Sequence, residues 1–166
     1  KQINEKSDKG IASDFYAILG DLYHSKEMHA EAYAAYDSSL VYNPNNIGTL
    51  NNYAYYLSVE RTNLDKAEEM SYKTVKAEPE NATYLDTYAW ILFEKGNYAE
   101  ARLYIDDAMK SDGGKSDVIV EHCGDIYYMT GDVDKALEYW NQALKIGSKS
   151  KTLQEKIRKK KYISDK

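Results

Sequence analysis

Residues 16–44 read YAILGDLYHSKEMHAEAYAAYDSSLVYNP, and the spacing within this stretch decides the fold. Tyr16, Leu19, Gly20 and Tyr23 fall at i, i+3, i+4 and i+7, the positions that share one face of an α-helix. Ala32, Tyr36 and Leu40 form a second such face. The following Asn43-Pro44-Asn45-Asn46 ends the second helix and starts another, because proline cannot continue a helix and asparagine caps one well. The stretch is therefore two amphipathic helices joined by a short turn.

The same pattern recurs outward along the chain. Small residues flanked by apolar ones stand at Gly20, Ala54, Ala89 and Gly124, spaced 34, 35 and 35 residues. A second series, always alanine, stands at Ala32, Ala67, Ala101 and Ala136, spaced 35, 34 and 35. Two independent series with one period mark an internal repeat. Pro79 follows Ala67 as Pro44 follows Ala32, while Gly113-Gly114 and Gly147-Ser148 end the later units by glycine chemistry. Small residues at fixed positions let paired backbones approach, so that neighbouring tyrosines and leucines interlock. One helix pair cannot bury both of its faces, so such units must stack.

Composition agrees with that reading. Of 166 residues, 43% are hydrophobic and 30% charged; 17 are tyrosine and only two are proline. The mean hydropathy is −0.71, and no stretch approaches the roughly 18 to 20 apolar residues that span a bilayer. Net charge is −5, unevenly placed. From Lys145 onward nine basic residues face two acidic ones, a local +7, leaving 13 basic and 25 acidic residues, or −12, before it.

Residue by residue, Tyr16-x2-Leu19-Gly20-x2-Tyr23, Ala32-x3-Tyr36 and Pro44 resemble the tetratricopeptide repeat signature. The third unit keeps Ala89, Leu92, Gly96, Tyr98, Ala101 and Ala108, and the fourth Gly124, Tyr127, Gly131, Ala136, Trp140 and Ala143. The second departs most, with Ala54 for the glycine, Ser71 for the aromatic residue and one extra residue between Ser58 and Asn63. The resemblance implies an all-α, right-handed solenoid of about four helix pairs: repeats at 13–46, 47–81, 82–116 and 117–150, and a capping helix with a basic tail at 151–166. Residues 1–12 are expected to be a tail or the end of a preceding helix. Helix content should exceed about 65%, twice the share of an ordinary globular domain.

Phrases such as Leu50-Asn51-Asn52-Tyr53-Ala54-Tyr55-Tyr56-Leu57 also look like those of bacterial repeat proteins common in Bacteroidota. That likeness implies a larger parent whose C-terminal part this is. The compartment would be periplasmic or outer-membrane-associated if the parent is exported, and cytoplasmic otherwise.

In this family the first helices line a concave groove, and the resemblance implies that a protein or peptide partner lies there. The groove-facing candidates are Asn51, Tyr55, Asp86, Trp90, Phe93, Glu94, Glu121, Asp125 and Tyr128. An exposed aromatic strip flanked by carboxylates suits a segment bearing apolar and basic groups. Ala17 and Asp21 stand where carboxylate-gripping members carry lysine and asparagine, so a chaperone-type C-terminus does not fit.

Catalytic and metal readings find little support. His24, His29 and His122 are scattered along the sequence, the single Cys123 precedes the packed Gly124, and neither a phosphate loop nor zinc spacing is present. No cofactor, metal or nucleic-acid partner is expected, and Arg158 to Lys161 read as a solubilising cap. The expected role is a non-catalytic binding scaffold, monomeric or weakly self-associating. The alternative is a structural, self-associating subunit that assembles through its N-terminal end within a larger, envelope-associated complex.

Overall fold

Several helix boundaries among the described residues have a local chemical cause. The computed structural model describes residues 2–165, with side chains from Asn4 onward. Helices run over Gln2–Ser25 (α1), His29–Tyr42 (α2), Ile47–Glu60 (α3), Leu64–Ala77 (α4), Ala82–Glu94 (α5), Tyr98–Lys110 (α6), Asp117–Met129 (α7), Val133–Ile146 (α8) and Leu153–Lys159 (α9). Helix makes up 78% of the chain, and no strand occurs among the described residues. Asn46 and Asn81 cap α3 and α5, each accepting a backbone N–H three residues on, at 3.3 and 3.1 Å. Ser116 and Asp132 do the same for α7 and α8. Gly147 ends α8 at φ +109°, a left-handed conformation that costs glycine little.

The chain divides into two compact units, residues 1–74 and 75–166. In the first, α1 and α2 form a hairpin whose core includes Ala32, Ala35 and Tyr36, with Leu50, Tyr53, Ala54 and Leu57 of α3 also buried. A chain of hydroxyls ties the three helices: Ser13 donates to the Ser39 carbonyl at 2.9 Å, and Ser39 and Thr49 meet at 2.8 Å. Residues 2–12 are helical and continuous with the rest of α1. No proline interrupts them, and Gly10 is tolerated within the helix.

In the second unit, α5 pairs with α6 and α7 with α8, over a core that includes Ile91, Leu92, Ile105, Val120, Ile126 and Trp140. Cys123 is fully buried there, and burial pushes its thiol pKa well up, as for an inert structural thiol.

The small residues sit where helices come closest. A Cβ added to Gly20 would lie 2.5 Å from the Tyr36 ring, and one added to Gly124 would lie 2.5 Å from Cδ1 of Trp140. Gly124→Leu should therefore destabilise by about 1–3 kcal/mol or more through overpacking. Gly10→Ala is the control, since an added Cβ there meets nothing within 4 Å. Thermal melting should fall sharply for the first variant and not for the second. Equal melting of the two would remove Gly124 from the close contact.

Candidate protein-binding site

The nine candidate residues divide between the units. Asn51 and Tyr55 lie on α3 in the first, Asn51 buried and Tyr55 half-buried beside Tyr56. The other seven lie on α5 and α7 of the second, and five of them converge. Trp90 stacks on Phe93, with ring centroids 4.4 Å apart, and on His122 at 4.0 Å. His122 Nδ1 meets the Asp86 carboxylate at 2.8 Å. One helix over, Glu121 and Asp125 share the face of α7 one turn apart. Glu94 is half-buried at the end of α5, and Tyr128 lies beside Trp140.

The expected exposure of the aromatic strip is corrected by the structure. Trp90 is 8% exposed and Phe93 5%, while Asp86, Glu121 and Asp125 are equally sealed. The chain's own C-terminal segment contributes to that burial. Lys156 of α9, 1% exposed, places its ammonium 2.9 Å from Glu121 and 3.0 Å from Asp125. Tyr162, just beyond α9, sets its ring edge-on to Phe93 at 5.3 Å. Ser150 donates to Glu121 at 2.8 Å, and the Trp140 indole N–H donates to Asp125 at 2.9 Å. Lys160 turns the chain back at φ +51°, and Thr152 donates to Asp165 at 2.6 Å in an exposed hydrogen bond.

The electrostatics follow from this burial. Desolvation pushes the Asp125 carboxyl up to about 7, against the pull of Lys156 and His122. Burial opposes charge on Lys156, but Asp125 and Glu121 outweigh it and raise its pKa. For His122, likewise, burial is overcome by Asp86 and then by the carboxylates of Asp125 and Glu121, so its pKa is raised. Sealed beneath Trp90, the His122–Asp86 pair is an internal charge-assisted contact.

Lys156, Tyr162 and His122 border the candidate residues, although the sequence pattern assigned none of them to the site. The spacing of Leu153, Ile157 and Tyr162 marked a capping helix, while Lys156 was hidden in a strongly basic run. His24 and His29, read as scattered, also come together: their rings lie 5.2 Å apart beside Glu60.

Removing one partner of a buried ion pair strands the other charges. Lys156→Met should cost about 3–5 kcal/mol. Adding Glu121→Gln and Asp125→Asn to it should restore part of that loss. Denaturant unfolding measures both, and a neutral single variant would show that the ammonium is solvated in solution.

Two segments match family models described as tetratricopeptide repeat, residues 13–46 and 121–149. None of the curated proteins matches the chain. Among solved structures, that of Pseudomonas aeruginosa PilF superposes with a TM-score of 0.77 at 19% identity, covering 92% of this chain and 69% of that one. MamA gives 0.67 at 22% identity, covering 82% and 74%. YrrB, described as a TPR protein with an unusual peptide-binding site, gives 0.62 at 18% identity, covering 80% and 67%. At these identities the likeness is one of fold.

Proposed function

We propose, from the premise that this chain is a tetratricopeptide-repeat protein, that it is a non-catalytic scaffold holding a partner segment of apolar and basic character. Repeat proteins of this kind are protein-interaction scaffolds in general, and peptide binding is named for YrrB, one protein of similar fold. The observation that carries the reading is what covers the acidic and aromatic face of α5 and α7. It is a segment that brings a lysine to two carboxylates and an aromatic ring to Phe93. The face thus accepts apolar and basic chemistry.

The two halves of that segment differ in how firmly they are held. α9 is fixed by Leu153, 1% exposed, and by the buried Lys156. Residues 161–165 are not helical; Lys161 and Asp165 are exposed, and the segment is held by the Lys161 N–H bond to the Lys156 carbonyl, the Tyr162–Phe93 ring contact and the exposed Thr152–Asp165 bond. A partner displaces this tail and leaves α9 in place. Its aromatic group then replaces Tyr162 over Phe93 and Trp90, near Glu94 and Tyr128. Glu121, Asp125 and Asp86 supply the anionic background beneath. Asn51 and Tyr55 offer a separate contact in the first unit.

A second reading, self-association, has one observation in its favour. Ile11, Phe15, Ile18 and Leu22 lie at i, i+4, i+7 and i+11 on α1 and are 65%, 60%, 68% and 50% exposed. A second copy brings an identical stripe, as a two-fold interface requires. A chain that sediments as a monomer at tens of micromolar excludes this reading; a dimer abolished by Phe15→Glu supports it.

The principal test uses short synthetic peptides of alternating aromatic and lysine residues, with glutamate-containing counterparts, followed by fluorescence anisotropy. The lysine peptide should bind the intact chain, and removal of residues 161–166 should tighten it about tenfold, or about 1.4 kcal/mol. Glu94→Lys should weaken it by a similar factor. Equal binding of the acidic peptide, or indifference to tail removal, would overturn the reading.

A further inference from the structure

The turn between α1 and α2 gathers a second constellation, remote in the sequence reading from any function. His24 lies in the last turn of α1, His29 opens α2, and Glu60 ends α3. The turn that joins the two histidines is closed by backbone bonds from Glu27 N–H to the His24 carbonyl at 2.9 Å and from Met28 N–H to the Tyr23 carbonyl at 3.0 Å. Glu27 adopts φ +59° to make it. α3 then contributes twice from one face. Tyr56 stacks on the His24 ring at 3.4 Å and 13°, and Glu60, one turn later, brings its carboxylate to the same place.

We propose that His24, His29 and Glu60 form a binding site for one divalent transition-metal ion of the zinc class, with a coordination position left open to solvent. Two imidazoles and one carboxylate are a ligand set that zinc and its neighbours favour over magnesium or calcium. One ligand atom from each residue can be chosen so that all lie within 4.8 Å of one another. Zinc bonds of about 2.0–2.2 Å set tetrahedral ligand atoms roughly 3.3 Å apart, so the three need only small side-chain adjustments.

Three further features fit an ion. His29 Nδ1 and Glu60 Oε1 meet directly as an ion pair whose geometry makes no well-formed hydrogen bond, and the Tyr33 hydroxyl lies against Glu60. An ion between imidazole and carboxylate satisfies both atoms. His24 is clamped by Tyr56, which fixes its ring in advance and lowers the entropy lost on coordination. The His29 side chain is 43% exposed, which leaves an entry path and room for water or a partner's side chain. Because the ligands come from three helices, the ion would staple α1, α2 and α3 at one end.

The test is titration of the full chain with Zn2+ alone at pH 7.5, by calorimetry, and with Co2+ by its visible absorption. One equivalent should bind, with the cobalt band of nitrogen–oxygen coordination, and Mg2+ should not displace it. His29→Gln and Glu60→Gln should each weaken Zn2+ binding at least tenfold. The metal-free melting temperature should hardly change for the exposed His29 variant, which separates ligand loss from unfolding. Absence of saturable binding, binding that survives both substitutions, or displacement by Mg2+ would each overturn the assignment.

Discussion

Burying a lysine among carboxylates requires that every charge be met, and the second unit is built around meeting that requirement. Gly124 removes the Cβ that would collide with Trp140. The indole can then approach and donate to Asp125. Asp125, with Glu121 one turn before it, holds the Lys156 ammonium. Lys156 in turn fixes α9, and Tyr162 beyond it closes over Phe93. A repeat-signature glycine, an acidic helix face and the C-terminal segment are thus consecutive links in one chain of contacts. Replacing such pairs by apolar residues is often neutral, whereas breaking them from one side is costly.

The first unit contains the same device in a simpler form. Gly20 lies against Tyr36, and the Tyr36 hydroxyl donates to Asp21 at 2.5 Å. Glycine, aspartate and an aromatic donor sixteen residues after the glycine therefore occur in both units. The difference lies in what reaches the aspartate next. Asp21 is exposed and takes a bond from Asn52 at 3.2 Å, while Asp125 is 2% exposed and takes an ammonium. A position set by packing in one unit has become an electrostatic anchor in the other.

The fold was legible because helix pairing imposes distances that only small residues satisfy. Gly20, Ala32, Ala89 and Gly124 therefore announce the repeat by their spacing alone. The convergence of Asp86, Trp90, Glu121 and Asp125 followed from the same periodicity. Their burial did not, since it depends on where residues 153–163 travel. Lys156 has the same composition and local pattern as the solvated lysines beside it. The meeting of His24 with His29 was equally hidden, because it rests on a left-handed Glu27, a residue type that does not announce that conformation. The open helical face of α1 is another feature that spacing alone leaves undecided between core and surface.

Under the proposed role, α9 is an integral part of the second unit and the residues after it are a cover that a partner replaces. Hydrogen–deuterium exchange resolves the two on one molecule. Amides of α9, including that of Lys156, which donates to the Thr152 carbonyl at 2.9 Å, should exchange nearly as slowly as those of α7. Those of 162–165 should exchange within seconds. Rapid exchange throughout 153–165, with α7 still protected, would show that α9 is not an integral part of the second unit.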